Sequence, residues 1–347
     1  YIDHEIHPLQ PEMVYQSNGE VWVGALDLDT GLFVSPTGKD EFVDQASSLS
    51  LSKNGPEYGL DSGGVSIFYN KASANGVELI WRATRQLSGT YSTQALTPAN
   101  MSRVNQLVSQ DLDSPTTWGL YARQDPAAFP GVIAWLDETA PGMENDVTRV
   151  RPGFAGFRWV IGSSRLTSTE SEGRGEGQIL LGDASTGQIA TVTNDPGIKF
   201  DPFGWYAPEF GGALAILAIQ GSDIVVYRDT GNESFKLHSR LPIPSSSGMS
   251  YLQSPEPFVA GGRSYVSLTL KDAPGSIYTA VNEAQIWIYG IEDGAERFAL
   301  RCDDGEPGRI RHEAETLRGT NEIFLYYNEL RPNGRFDIVR CRTGLLP

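Results

Sequence analysis

One pattern recurs along this chain of 347 residues: an apolar strand that carries an aromatic residue, a polar turn, and a second strand. Five clear copies place the aromatic residue at Trp22, Trp81, Trp135, Tyr227 and Trp287. Two weaker copies surround Leu181 and Val339. The copies lie about 45 to 60 residues apart, a spacing typical of small sheets arranged in a ring. The sequence therefore predicts an all-β fold, a β-propeller of four-stranded blades.

The number of copies predicts seven blades, with six blades and one displaced copy as the alternative. From Val339 through the C-terminus and on to Trp22 there are only about 30 residues, so one strand is missing from a strict seven-blade count. We expect residues 1–10 to complete the last blade, so that the two termini close the ring and cover its exposed sheet edges. No linker divides the chain, which predicts a single domain over residues 1–347.

The charge balance restricts the possible partners. The formal net charge is −16, and no run of 18 apolar residues occurs. An acidic surface argues against binding to nucleic acid or to an anionic membrane, because phosphates require a basic surface. Phosphate loops, dinucleotide-binding fingerprints and cysteine-rich metal motifs are absent from the sequence. We expect a small-molecule ligand, no nucleic-acid or membrane partner and no cofactor.

Three features favour a secreted protein. The sequence begins at Tyr1 without a signal peptide, as a processed chain does. Two N-glycosylation sequons begin at Asn100 and Asn232, which predicts a glycoprotein. Cys302 and Cys341 are the two cysteines of the chain and fall in strands of the last two repeats. We predict a disulfide between them, with two buried thiols as the alternative.

A Pro-Glu pair precedes several of the predicted inner strands. Its copies are Pro11-Glu12, Pro56-Glu57, Pro208-Glu209 and Pro255-Glu256. Carboxylates that converge on one apolar funnel raise one another's pKa, which is how general acids arise. Glu209, Glu256 and Glu57 are therefore the candidate catalytic acids, in that order. The structural alternative is that each glutamate accepts hydrogen bonds from the backbone of the neighbouring blade and fastens the two blades together.

Other residues near the predicted inner strands complete the candidate site. Asp61 is a fourth catalytic candidate, with a turn-capping role as the alternative. The candidate substrate-binding residues are the aromatics and the cationic or titratable side chains expected at the channel mouth: Trp118, Arg151, Phe154, Trp205, Tyr206, Phe258 and His312.

Two family resemblances follow from these motifs. The segments 205–210 and 254–259 resemble the blade openings of five-bladed furanosidase-type glycoside hydrolases, which implies a catalytic base and a general acid. The layout of segments 54–59, 207–212 and 254–258 is similar to a group of secreted fungal and bacterial propellers. That group includes cofactor-free hetero-Diels–Alderases of tropolonic sesquiterpene biosynthesis.

The second resemblance implies acid-assisted dehydration to a quinone methide, followed by hetero-Diels–Alder cycloaddition with a terpene. In this scheme Glu57, Glu209 or Glu256 assists the loss of water, while an arginine or histidine holds the tropolone oxygens. A secreted glycoside hydrolase with paired carboxylates is one alternative. A propeller that binds a glycan or another ligand without catalysis is the other.

Overall fold

The structure is a computed structural model, in which the chain forms two compact units. It describes residues 4–7, 9–34, 40–45, 56–61, 64–72, 78–95, 116–117, 134–136, 147–150, 159–163, 178–183, 189–231, 234–274, 281–292 and 297–347. The N-terminal unit comprises Tyr1–Leu26 and Phe33–Pro196, and the C-terminal unit comprises Asp27–Leu32 and Gly197–Pro347. The prediction of one domain over the whole chain stays a prediction.

The N-terminal unit opens with two four-stranded antiparallel sheets. The strands of the first are β1 (His4–Ile6), β2 (Glu12–Ser17), β3 (Glu20–Ala25) and β4 (Glu41–Gln45). Those of the second are β5 (Glu57–Asp61), β6 (Gly64–Ala72), β7 (Glu78–Arg85) and β8 (Tyr91–Ala95). In both sheets each strand pairs with the next one along the chain, the arrangement found in a propeller blade.

Six shorter strands complete the N-terminal unit. They are β9 (Thr116–Thr117), β10 (Ala134–Leu136), β11 (Val147–Val150), β12 (Trp159–Ser163), β13 (Ile179–Asp183) and β14 (Ile189–Thr191). Strands β10 and β11 form a two-stranded sheet, and β14, β13, β12 and β9 form a four-stranded sheet in that order. The pairing of β9 with β12 is parallel, unlike the other pairs.

The C-terminal unit contains three sheets that follow one another along the chain. The first consists of β15 (Phe200–Ala207), β16 (Ala213–Gln220), β17 (Asp223–Asp229) and β18 (Phe235–Pro242). The second consists of β19 (Tyr251–Ala260), β20 (Arg263–Lys271), β21 (Ala284–Gly290) and β22 (Ala299–Arg301). The last sheet has β23 (Ile310–Arg318), β24 (Ile323–Leu330) and β25 (Phe336–Arg342). Short 3-10 turns lie at Pro208–Phe210 and Ser245–Ser247.

The described residues thus confirm a mostly β chain built from sequential sheets, five of them four-stranded. The recurring aromatic residue occupies the third strand of four of these sheets, at Trp22, Trp81, Tyr227 and Trp287. The third strand of a four-stranded sheet pairs with a neighbour on both edges, and two of these aromatic side chains, Tyr227 and Trp287, are buried. Because one of the sheets has only two described strands, the blade count stays a prediction.

Two expectations about individual strands are wrong. The N-terminal residues were expected to complete the last sheet, but His4–Ile6 pair with β2 in the first sheet, and the last sheet has three described strands. The sequence pattern predicts the inner strand before β16 at residues 210–212, but this strand runs from Phe200 to Ala207. Pro202 and Gly204 obscure its alternation, and the register shifts between Phe200 and Phe203 at a β-bulge, where proline is tolerated.

Packing between successive sheets forms the core of the C-terminal unit. The side chains from Leu214 to Ile219 in β16 are all buried, as in a sheet that is covered on both faces. The predicted disulfide is confirmed: Cys302 and Cys341 are bonded, with Cα atoms 5.7 Å apart. It joins the end of β22 to β25 and so connects the last two sheets. No helix in the described ranges is long and apolar enough to cross a membrane.

Candidate binding cleft

A cleft of about 370 Å³ opens on the C-terminal unit between its first two sheets. Its lining residues are Glu209, Phe210, Arg228, His238, Ser239, Ile291 and Glu292. Four of them, Glu209, Arg228, His238 and Glu292, are exposed, and Phe210 is half-buried. The cleft therefore combines an aromatic ring with both signs of charge and faces solvent.

Glu209 is held in place by the neighbouring sheet. Its Oε1 accepts a hydrogen bond from the backbone N–H of Ser264 at 2.5 Å, and its Oε2 accepts one from the Ser264 hydroxyl at 2.7 Å. The same hydroxyl accepts a hydrogen bond from Trp205 Nε1 at 2.9 Å. Ser264 is the second residue of β20, whereas Glu209 follows the end of β15. This is the fastening role that the sequence allowed as an alternative to catalysis.

The hydrogen bonds also define what the Glu209 carboxylate can do in the cleft. Both oxygens already accept from N–H or O–H donors, so the group is fixed as a hydrogen-bond acceptor. Each carboxylate oxygen has a further lone pair that can accept a hydrogen bond from a ligand. A general acid, in contrast, must carry a proton that it can donate.

Phe210, His238 and Arg228 form the aromatic part of the cleft. The rings of Phe210 and His238 meet edge to face with centroids 4.7 Å apart. The Arg228 guanidinium carbon lies 5.8 Å from the centroid of the Phe210 ring, within the range of a cation–π contact. His238 occupies a β-bulge, because Val226 pairs with Ser239 and Tyr227 pairs with Leu237. The bulge turns the imidazole towards Phe210.

Two buried residues tie the cleft-forming sheets together. The Ser239 hydroxyl donates a hydrogen bond to the backbone carbonyl of Ile291 at 2.7 Å. Ser239 belongs to the edge strand β18, and Ile291 directly follows β21 of the next sheet. The contact places the exposed Glu292, the next residue after Ile291, beside the residues of the first sheet.

The other candidate residues of the C-terminal unit lie away from this cleft. Trp205 and Phe258, which were expected to wall a pocket, are 0% and 2% exposed and belong to the packed interior. Phe258 stacks on Tyr265 with centroids 5.6 Å apart. Tyr206 is exposed but does not line the cleft. The expected substrate-binding role of Trp205 and Phe258 is therefore wrong for this cleft, because both side chains pack in the interior.

Glu256 and His312 do not lie in the same cleft as Glu209, although the sequence predicted all three at one channel mouth. Glu256 lies within β19 opposite Ser267, and Glu209 contacts Ser264 on the same strand β20. Three residues of strand correspond to about 10 Å, so the two carboxylates lie at different heights on the sheet. His312 is the third residue of β23 and is completely buried, with its ring edge-on to Phe336 at 5.2 Å.

The Pro-Glu pairs therefore do not mark equivalent positions. Glu12 begins β2, the second strand of its sheet, whereas Glu57 begins β5, the first strand of its sheet. Glu209 follows β15 in a 3-10 turn, and Glu256 lies inside β19. A dipeptide pattern carries no information about strand register, and β-bulges shift that register in the inner strands β15, β19 and β23.

The remaining candidates divide between the N-terminal unit and the undescribed residues. Glu57 is buried at the start of β5. The backbone of Asp61 ends the same strand, and its side chain is not described. Trp118, Arg151 and Phe154 lie outside the described residues. The catalytic or binding roles given to these residues stay predictions.

A charged network lies in the last sheet of the C-terminal unit, at the start of β23 and the end of β24. Glu329, which is 1% exposed, pairs with Arg309 and Arg311 at 2.8 Å and with Arg331 at 2.5 Å. Arg311 is itself completely buried. Although burial lowers the pKa of its guanidinium, Asp303 and Glu329 raise the pKa above its ordinary value. Asp304 and Asp337 supply further carboxylates to these arginines, so the positive charges have partners of opposite sign, which indicates a structural role.

The sequence did not indicate Phe210, Arg228, His238 and Glu292 as site residues. Two features of the sequence could have indicated them. Phe210 directly follows the candidate Glu209, and Arg228 and His238 lie on the two strands of one hairpin. Glu292 reaches the cleft through sheet-to-sheet packing alone. Among the residues whose positions are described, no group of three His, Cys, Asp or Glu side chains is arranged to hold a metal ion.

No protein-family model matches the sequence, and no curated protein matches it. Solved structures show a weak similarity over nearly the whole chain. A mutant of AofleA from Arthrobotrys oligospora is 11% identical with a TM-score of 0.48, covering 100% of this chain and 84% of that chain. Trypanosoma rangeli sialidase is 12% identical with a TM-score of 0.45, covering 99% of this chain and 54% of that chain.

A periplasmic gluconolactonase of Pseudomonas aeruginosa gives a similar result. It is 10% identical with a TM-score of 0.37, and the match covers 99% of this chain and 86% of that chain. The present chain spans about half the length of the sialidase chain and most of the other two chains. At these identities and TM-scores the similarities assign neither a family nor an activity.

Proposed function

We propose that this protein is a β-propeller that binds a glycan, without chemical conversion, in the cleft beside Glu209. The sequential up-and-down sheets support the propeller, since such sheets are its repeating unit. The observation that carries the binding function is the Glu209 carboxylate, fixed at both oxygens by Ser264 while it faces the cleft. A pre-positioned acceptor binds a ligand hydroxyl without first losing conformational entropy.

The other lining residues suit a hydroxylated ligand. Glu292 adds an acceptor, and Arg228 adds donors beside the Phe210 ring. Carbohydrates offer hydroxyl groups together with apolar C–H faces, and a site with one aromatic ring and several charged groups complements both. A cavity of about 370 Å³ has the size of a small-ligand site.

The hetero-Diels–Alder reaction implied by the family resemblance is less well supported. A macrocyclic terpene requires a large apolar pocket, and the described cleft is lined by four charged or titratable side chains. Its mechanism also requires a protonated carboxyl group, whereas Glu209 accepts hydrogen bonds at both oxygens. The reaction stays a hypothesis for the residues that the structure does not describe.

Glycoside hydrolysis is the second candidate function, because Glu209 and Glu292 line one cleft. Hydrolases of this class use two carboxylic groups about 5–9.5 Å apart, one of which donates a proton. The Ser264 contacts favour Glu209 as an acceptor and not as a proton donor. Turnover of a glycoside that is abolished in both Glu209→Gln and Glu292→Gln would establish hydrolysis in place of binding.

The experiment is a binding screen of the purified protein against a panel of defined oligosaccharides, followed by isothermal titration calorimetry of the hits. We expect a dissociation constant in the micromolar to millimolar range for an open polar site, and no product by mass spectrometry. Phe210→Ala should weaken binding by about tenfold or more, since it removes the aromatic ring. Tyr251→Ala is the matched control, because Tyr251 is an exposed aromatic residue at the start of β19, away from the cleft.

The disulfide supports an extracellular location, because such bonds persist in oxidising compartments. A glycan-binding function fits this location, since glycans are exposed outside the cell. The secreted state and the predicted glycosylation are part of the proposal. Mass spectrometry of the protein from its natural source would detect or exclude the attached glycans.

A further inference from the structure

The cleft contains charged side chains of both signs that lack an ion-pair partner. In the described part of the chain, Arg228 and Glu292 form no salt bridge with any residue, although both line the same cleft. Six other described arginines of the unit pair with a carboxylate: Arg240, Arg301, Arg309, Arg311, Arg331 and Arg342. Charges left unpaired in a cleft are available to a ligand.

The balance of these charges favours a cationic ligand group. Glu209 and Glu292 contribute two negative charges to the cleft, Arg228 contributes one positive charge, and His238 contributes none while its imidazole is neutral. The whole chain carries a formal charge of −16, so the surrounding field also attracts cations. The Arg228 guanidinium lies over Phe210, where its N–H groups can donate to uncharged ligand oxygens. A ligand that complements the cleft therefore carries one ammonium group and several hydroxyl groups on the same molecule.

We infer that the ligand class is an amino sugar with a free amine, its ammonium group placed at Glu292 and Glu209. This inference rests on the proposed glycan-binding function. Arg228 and Glu209 receive the hydroxyl groups, and Phe210 contacts the apolar face of the sugar ring. Binding is a reversible association in which no covalent bond changes.

Two commercially defined oligosaccharides test the charge requirement, because they differ only in the acetylation of the amine. The probes are glucosamine oligomers and N-acetylglucosamine oligomers of equal length, titrated into the intact protein at pH 7. We expect the free-amine oligomers to bind about fivefold more tightly, the size of one solvent-exposed ion pair. Raising the salt concentration should remove this difference because exposed charges are screened.

The variant Glu292→Gln should abolish the preference for the free amine, because glutamine keeps a carbonyl acceptor for a hydroxyl group but loses the negative charge. Glu306→Gln is the matched control, since it makes the same charge change on the exposed loop after β22, at the other end of the sheet. The control variant should keep the preference. Equal affinity for both oligomers in the wild-type protein overturns the amino-sugar inference and leaves glycan binding intact. No binding of any oligosaccharide in the wider panel overturns the proposed function itself.

Discussion

The Glu209 carboxylate receives two hydrogen bonds from a single residue of the next sheet, the backbone N–H and the hydroxyl of Ser264. The same hydroxyl accepts a third hydrogen bond from the completely buried Trp205. One serine therefore connects two sheets and satisfies an indole donor in the core. The contact also fixes the carboxylate that faces the proposed binding cleft.

Replacing Ser264 by alanine should destabilise the protein by about 1–3 kcal/mol, because the buried Trp205 N–H loses its hydrogen-bond acceptor. The midpoint of urea unfolding would report the change. Ser222→Ala, in the exposed turn between β16 and β17, is the control and should have little effect. Equal midpoints for Ser264→Ala and the wild-type protein would show that the contact does not stabilise the sheets.

Gly31 should not tolerate a side chain. Its φ is +63°, and a Cβ atom there would lie 2.7 Å from Cγ of the buried Phe324 ring. We expect Gly31→Ala to cost about 1–2 kcal/mol from the left-handed backbone and about 1–3 kcal/mol more from overpacking. Gly221→Ala is the matched control, since Gly221 has a φ of +66° and open space around its Cβ position. Equal losses in the two variants, measured by urea unfolding, would contradict the contact with Phe324.

The disulfide between Cys302 and Cys341 should contribute about 3–4 kcal/mol to stability, because it closes a loop of about 40 residues in the unfolded chain. The double variant Cys302→Ser, Cys341→Ser should lose this amount, and dithiothreitol should lower the stability of the wild-type protein alone. Alkylation of the native, unreduced protein should modify no cysteine by intact mass. Two alkylated thiols would refute the bond.

Glu329 should be among the most sensitive charged residues. Its removal takes away the carboxylate that accepts the hydrogen bond from Arg311 Nε, and breaking a buried pair typically costs about 3–5 kcal/mol. We expect Glu329→Gln to lower the melting temperature by several degrees. Asp337→Asn provides the comparison, because that carboxylate is 50% exposed and pairs with Arg331 at the surface. A similar small shift in both variants would contradict a structural role for the buried network.

His7 should make stability depend on pH. Burial is the largest effect on its imidazole and lowers the pKa below the ordinary value of 6.5; Glu12 opposes the shift and Arg85 adds to it. The unfolded chain therefore binds this proton more readily, and the stability due to neutral His7 is lost as the pH falls through about 6.5.

The variant His7→Gln isolates this contribution. Its stability relative to the wild-type protein should be lowest near pH 8, where the hydrogen bond from the Leu9 N–H to His7 Nδ1 is intact. The difference between the two proteins should shrink from pH 7.5 to pH 5, measured by urea unfolding. A constant difference over this range would show that His7 has the same pKa in both states.

Local patterns in the sequence determined which segments form strands and, for several of them, their position within a sheet. The repeated aromatic residue marked the third strand in four sheets. The positions of the cysteines in the last two repeats predicted their bond correctly. These features depend on hydrophobic periodicity and on spacing between repeats, both of which are properties of the chain itself.

Tertiary packing alone decided which residues share a site. The Pro-Glu repeat suggested one cluster of carboxylates, but β-bulges and different strand positions separate Glu209 from Glu256. The cleft instead joins Glu209 and Phe210 to Arg228, His238 and Glu292, which come from two sheets. Strand register and the docking of one sheet on another depend on contacts between residues far apart in sequence, so a local motif could not reveal them.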